Sequence, residues 1–302
     1  MQQWFRWLRR SPRIASKGAE AAEPTFVIGG RQRAAGVPYM LPTDTQEINR
    51  LDFQHYLLRY AFRGNYAAPI ARPASILDVG TCTGRWAREM AVQFPAASVV
   101  GLDIVPPRAD DERSTELRPA NYRFVQGNVL EGLPFPDASF DFVHMRLMVL
   151  ALPATRWPFV VRELVRVTRP GGWVESVEYG GERHGGPAIT QLMRWGTQAS
   201  ALRGIDTAYS TQVGELLRVA GLHPVHTQEV DLPLGAYGGR VGVMNAVDLL
   251  TAMRALGSLY VTQGIATAQE FDWTMQTAQA EVESRQYQAI SPFYIAFGQR
   301  VR

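Results

Sequence analysis

From residue 75 onward, short apolar runs alternate with stripes at helical spacing. Ser75-Ile-Leu-Asp-Val79 is an apolar run with a carboxylate near its end, the pattern of a buried parallel strand. Arg85 to Phe94 puts Trp86, Met90 and Phe94 four residues apart, the stripe of a helix. Ser98 to Ile104 and Tyr122 to Gln126 are again strand-like. Ala138 to Arg146 predicts a fourth strand, and Met148-Val-Leu150 begins a helix. Trp157 to Val167 is amphipathic and stops before the breaker Pro170-Gly171-Gly172. Trp173 to Tyr179 predicts strand five, and residues 187–203 and 210–220 predict helices. His223 to Leu232 predicts strand six. Two helices at about 241–262 and 267–286 then precede a last strand, Ile290 to Gly298. Strands alternating with helices predict an α/β fold, doubly wound around a mainly parallel sheet.

Upstream, Glu47 to Tyr60 carries Ile48, Leu51, His55 and Leu58 at helical spacing. Residues 11–38 hold Pro12, Pro24, Gly29, Gly30, Gly36 and Pro38, which predict an extended linker. Residues 1–38 are therefore expected to be a basic leader and linker, either disordered or forming an interface. Residues 39–302 are expected to be the working domain, with a helical insert at about 236–288. The first insert helix is too apolar for a simple surface helix. It either roofs a substrate cavity or forms a subunit interface, and the sequence leaves both open.

Gly80-Thr-Cys-Thr-Gly84 must turn the chain from strand to helix in few residues. Glycine there tolerates unusual dihedrals and lets a ligand approach the backbone. The free N–H groups of the helix start favour a negative group. Such a loop at the carboxyl end of a strand marks a nucleotide-type site. The spacing Gly80-x-Cys82-x-Gly84 misses the dinucleotide fingerprint, and the Gly-Lys-Ser/Thr of a P-loop is absent. Asp103, roughly 20 residues past the loop at the tip of strand two, stands where an adenosine ribose is held.

Ile76-Leu-Asp-Val-Gly-Thr-Cys-Thr-Gly84, followed by Gly101-Leu-Asp-Ile104, resembles motifs I and II of the class I S-adenosylmethionine (SAM)-dependent methyltransferases. Tyr122 to Val129, Leu133 to Val143 and Leu164 to Val174 resemble later strands of that fold. The run Glu47-x-x-Arg50-Leu-Asp-x-Gln-His55 is similar to the LaeA-like branch, many of whose relatives act on natural products. The resemblance covers roughly residues 45 to 300. It implies a Rossmann-like fold with a seven-stranded mixed sheet whose last strand is antiparallel. It also implies a SAM site built from Asp78, Gly80, Thr81, Cys82, Gly84, Arg85 and Trp86, and from Asp103 and Ile104. Asn128 and Val129 would meet the adenine, and Met145 and Arg146 would lie beside the active site. The family usually has glycine where Cys82 stands. For a general base, His55, His184, Glu178 and Tyr179 are candidates that no spacing ranks.

Composition narrows the partners. Arg6, Arg9, Arg10, Arg13 and Lys17 against Glu20 give the first 20 residues +4 of a net charge of +3, leaving −1 for the rest. A near-neutral domain does not carry a nucleic-acid footprint. Lys17 is the only lysine, which excludes Schiff-base chemistry from the core. The single cysteine, Cys82, excludes an intramolecular disulfide and fits a reducing cytoplasm. No twenty-residue apolar run exists, so no integral membrane segment is expected. No His/Asp cluster has ligand spacing, so no metal is implied. The expected partner is a small-molecule substrate, with a homo-oligomer possible through the N-terminal segment or the insert. The expected function is methyl transfer from SAM to a small organic acceptor of secondary metabolism. The alternative is a SAM-binding protein without methyl transfer, a regulator or a SAM-assisted cyclase.

Overall fold

The computed structural model describes residues 25–34, 36–106 and 119–301. The aromatic and basic start of the chain and most of the charged stretch after Asp103 lie outside the described residues. The central feature is a seven-stranded sheet of order β5-β4-β3-β6-β7-β9-β8. Its strands are β3 (Ser75–Val79), β4 (Ser98–Asp103), β5 (Tyr122–Gln126), β6 (Phe140–Arg146), β7 (Thr168–Tyr179), β8 (Leu222–Pro233) and β9 (Ile290–Arg300). β3 pairs in parallel with β4 and β6, β4 with β5, and β6 with β7. β9 runs antiparallel to both β7 and β8. Asp78 lies level with Gly101 and His144, so the polar strand ends share one edge.

The two-residue period of the strands sorts the core onto the two faces. Ile76, Val99 and Phe142 point to one face, against Trp86, Ala87 and Met90 of α2 (Arg85–Gln93). Leu77, Val143 and Met145 point to the other, against Val160, Leu164 and Val167 of α3 (Trp157–Val167) and Val213 and Leu217 of α5 (Tyr209–Val219). The remaining helices are α1 (Thr45–Phe62), α4 (Pro187–Ala201), α6 (Gly239–Thr262) and α7 (Ala268–Glu283). The last three share an apolar core of their own, built on Ile189, Trp195, Leu256, Tyr260 and Phe271.

Three elements differ from the sequence reading. Part of the expected linker is a hairpin, β1 (Thr25–Ile28) and β2 (Arg31–Ala34), turned at Gly29-Gly30 with φ 57° and 75°. Paired glycines between short β-prone runs are a hairpin signal as much as a linker signal. The hairpin docks on α6 through Arg33, which is 1% exposed and donates to the carbonyls of Met40 and Ala255. Pro170-Gly171-Gly172 does not separate helix from strand. β7 begins at Thr168 and bulges through it, the pairing jumping from Phe140↔Thr168 to Phe142↔Trp173. Met148 to Leu150 forms one 3₁₀ turn rather than the start of a helix, after Leu147 at φ 60°.

Leu164 is fully buried against the sheet. Leu164→Ala should cost about 2–5 kcal/mol in urea unfolding, because the rigid sheet cannot collapse into the cavity. A loss below about 1 kcal/mol would show that this face is loosely packed.

Candidate cofactor and acceptor site

At the carboxyl edge of β3 the chain turns on Gly80, at φ 73°. A side chain there would be strained, and its Cβ would stand 2.6 Å from the Met148 sulfur, so Met148 would have to move. The Gly80 and Thr81 N–H groups donate to the Leu102 carbonyl at 2.9 and 3.0 Å. Asp78 holds the loop from below: its carboxylate accepts from the Thr81 hydroxyl at 2.6 Å and faces His144 Nδ1 at 2.8 Å. Burial lowers the His144 pKa, so the ring is neutral and its Nδ1–H is the donor. His144 Nε2 is buried with no hydrogen-bond partner among the described residues, and the ring stacks on Trp86 at 3.8 Å. Above the loop, the Asp103 carboxylate accepts from the N–H groups of Cys82 at 2.8 Å and Val105 at 3.1 Å. Cys82 sits in the left-handed region at φ 50°, where glycine is the unstrained residue. Burial, with Asp103 beside it, pushes the Cys82 thiol up, so it is not a thiolate nucleophile.

α1 wires this loop to the rest of the molecule. Asp52 accepts from the Thr83 hydroxyl at 2.7 Å and pairs with Arg85 at 2.8 Å. Arg50 is closed between Glu47 at 2.5 Å and Asp248 of α6 at 2.7 Å, and Gln54 donates to the other Asp248 oxygen at 2.8 Å. His55 Nδ1 lies 3.2 Å from the Arg146 guanidinium, and its Nε2 lies 3.2 Å from Glu89. A guanidinium can only donate, so Nδ1 accepts and the proton of the neutral ring sits on Nε2, towards Glu89. Burial lowers the His55 pKa, consistent with that neutral form. Arg146 has no carboxylate at ion-pair distance among the described residues; His55 is its hydrogen-bond partner.

One cavity of about 340 Å³ runs from the glycine loop to the insert. Asp78, Gly80, Thr81, Cys82, Arg85, Trp86, Asp103, Ile104, Asn128, Val129 and Arg146 line it, as do His55 and Tyr179. Asn128 also caps a 3₁₀ turn, its side-chain oxygen accepting from Leu130 N–H at 3.0 Å. Four expected residues do not line it. Gly84, at φ 72°, caps the start of α2. Met145 points to the opposite face of the sheet from His144 and Arg146, because β6 alternates strictly. Glu178 is fully buried, its carboxylate accepting from Val149 N–H at 2.9 Å and the Ser176 hydroxyl at 3.1 Å. His184 is exposed, in a left-handed turn at φ 59° beyond β7. Neither can serve as a base in this cavity. The sequence reading missed Arg50, Asp248, Asn245 and Glu182, all of which line the cavity. Two of them stood in stretches already marked: Arg50 in the Glu47–His55 run, and Glu182 three residues after Tyr179.

A glycine loop between strand and helix, with a carboxylate at the next strand tip, defines a nucleotide-type site in a doubly wound fold. Comparison with known proteins narrows the class. A family model described as "Methyltransferase domain" matches residues 76–172. "Methyltransferase str3" of Strobilurus tenacellus is 34% identical over 210 residues, covering 67% of this chain and 72% of that protein. "Methyltransferase str2" of the same organism is 30% identical over 211 residues, covering 67% and 74%. "Secondary metabolism regulator laeA" of Aspergillus flavus is 32% identical over 251 residues, covering 78% and 65%. The chain belongs to the class I SAM-dependent methyltransferases, in their LaeA-like branch.

The buried Glu178 generates a pH prediction. Burial pushes its pKa from 4.5 up to about 8. The folded state therefore holds this proton where the unfolded chain has lost it. That contribution is complete below the unfolded pKa and is lost as pH rises through about 8. Glu178→Gln stays neutral and keeps an acceptor for Val149. Urea midpoints at about pH 5.5 and about pH 8.5 should fall less for the variant than for the wild type. Parallel falls would mean that Glu178 ionises freely in the folded protein.

Proposed function

We propose that SAM occupies the loop half of the cavity and that a small organic acceptor, a natural product of secondary metabolism, occupies the insert half. The observation that carries this reading is Arg146, a guanidinium lining the cavity with a neutral histidine as its hydrogen-bond partner. Burial lowers its pKa, which reflects how poorly its charge is compensated. A half-buried cation with no carboxylate at ion-pair distance among the described residues is poorly compensated, and a ligand carboxylate would supply the missing charge. On this reading Arg146 holds the methionine carboxylate, Asp103 the ribose, and Asn128 and Val129 the adenine. Asp78 keeps the loop in place through the Thr81 hydroxyl and His144.

Bound SAM supplies a methyl group on a sulfonium that is already a good leaving group. The chain's task is to hold an acceptor atom in line with that methyl, which is worth up to roughly 7–11 kcal/mol as proximity. The Arg50 ion pairs tie α1 to α6 over the cavity. The names of the relatives support a secondary-metabolite acceptor. Several relatives are named regulators of secondary metabolism, so a SAM-binding role without transfer is the second reading. The roofed space beyond the loop favours transfer. A reducing compartment such as the cytoplasm suits a chain with one cysteine. Among the described residues, no helix is long and apolar enough to cross a membrane.

Calorimetry with two ligands tests the cofactor placement. Arg146→Met should weaken SAM by tenfold or more, since charge-assisted hydrogen bonds contribute about 1.5–3 kcal/mol. It should leave methylthioadenosine, which lacks the carboxylate, within about twofold of wild type. Asp103→Ala should weaken both ligands. Equal losses of both ligands in Arg146→Met would sink this assignment.

A further inference from the structure

The insert side of the cavity holds a connected set of polar groups in apolar surroundings. The Tyr179 hydroxyl donates to Glu182 Oε1 at 2.6 Å. The Ser291 hydroxyl donates to the same carboxylate, 2.9 Å from each oxygen. Asn245 Nδ2 donates to Ser291 Oγ at 2.7 Å. Tyr179, Glu182 and Asn245 line the cavity together with Leu249, Met253 and Phe293. Ser291 is 0% exposed, so the chain of donors ends inside the protein. Its direction is fixed: Asn245 to Ser291 to Glu182, and Tyr179 to Glu182. With its own proton committed to Glu182, the Tyr179 oxygen has lone pairs left to accept from a ligand.

The charges around this group discriminate between acceptors. Among the described lining residues, Arg50, Arg85 and Arg146 are the cations. Arg50 is enclosed by Glu47 and Asp248, Arg85 is paired with Asp52, and Arg146 lies on the loop side. An acceptor carboxylate would thus meet Glu182 and Asp248 with no free cation. A neutral amine attacks through its lone pair and sheds its proton afterwards, so it has no use for a relay. A hydroxyl is a weak nucleophile until its proton is removed.

Resting on the proposed SAM placement, we infer that the acceptor is an apolar molecule methylated on a hydroxyl, with Tyr179 taking the proton and Glu182 receiving it through Tyr179. The acceptor oxygen forms the new O–C bond as the C–S bond breaks, and the electron pair of that bond stays on sulfur. The hydroxyl proton moves to the Tyr179 oxygen, the Tyr179 proton moves to Glu182, and Glu182 later releases it to water. Charge balances: the sulfonium is neutralised and one proton is released. Burial pushes the Glu182 pKa up to about 8, so the relay runs only in the molecules in which Glu182 is ionised, a fraction that grows as pH rises through about 8. Asp248 and Tyr260 of α6 and Tyr237 are the other titratable groups whose charge is felt at this pair. Asp248 is held by Arg50 and Gln54, and burial raises the pKa of Tyr260 and of Tyr237.

The test uses the full chain and the variants Tyr179→Phe and Glu182→Gln. SAM binding is measured first, and failure of the wild type to bind SAM sinks the underlying site reading. With SAM bound, release of S-adenosylhomocysteine is followed with 2-naphthol, 2-naphthoic acid and 2-naphthylamine. The inference expects turnover with the naphthol alone. It also expects a loss of about 10²-fold or more in both variants at unchanged SAM affinity. No turnover of the naphthol, or comparable turnover of the acid or the amine, overturns the acceptor class while leaving the cofactor site standing. A second readout is the pH profile of naphthol turnover: in the wild type it should rise as Glu182 ionises through about 8, and Glu182→Gln should lose that step. The same profile in both proteins overturns the relay.

Discussion

The Arg50 guanidinium, closed between Glu47 of its own helix and Asp248 of the insert, is the interaction on which the enclosed site depends. Three charges lie 2%, 6% and 8% exposed, at Glu47, Arg50 and Asp248. Separating them would strand at least one charge in a poorly solvated place, at a cost of about 3–5 kcal/mol. α1 and α6 are therefore held at one spacing, and the space between them and the sheet edge stays open. The same helix holds the glycine loop through Asp52 and meets Arg146 through His55. A helix so placed cannot be amphipathic in the ordinary sense, because its buried face is partly ionic.

That explains what the sequence conceals. The sheet was legible because its strands are apolar runs of the right length separated by helical stripes, and Asp78 and Asp103 stood out as carboxylates at strand ends. The antiparallel last strand came from the family resemblance. α1 was legible as a helix, but its pattern was read from Ile48, Leu51, His55 and Leu58. The structure buries His55 and Leu58 with Leu57, as that stripe implies, but adds Glu47 and Arg50 and leaves Ile48 and Leu51 half-buried. Charged residues are expected outside unless a partner is known, and Asp248 lies 198 residues away from Arg50. The β6 candidates show the opposite failure. Met145 and Arg146 were taken together as neighbours in sequence, and the strand period sends them to opposite faces. Glu178 failed for the same reason.

The cavity divides by the work its polar groups have already done. On the loop side Asp78 holds Thr81 and the Nδ1 side of His144, and Arg146 has no carboxylate at ion-pair distance among the described residues. On the insert side carboxylates exceed available cations, and apolar side chains separate them. Each side suits one end of a methyl transfer: an adenosine carrying an amino-acid carboxylate on one, a neutral apolar acceptor on the other. Cys82 fits this division. It stands where the turn asks for glycine, and burial keeps its thiol neutral, so the loop gains no reactive group.

The most direct measurement is a crystal structure of the full chain with S-adenosylhomocysteine. The account predicts the ribose hydroxyls on Asp103, the carboxylate on Arg146, and the sulfur facing the space bounded by Tyr179 and Glu182. A complex with the carboxylate on another residue, or with the sulfur turned from that space, would contradict it.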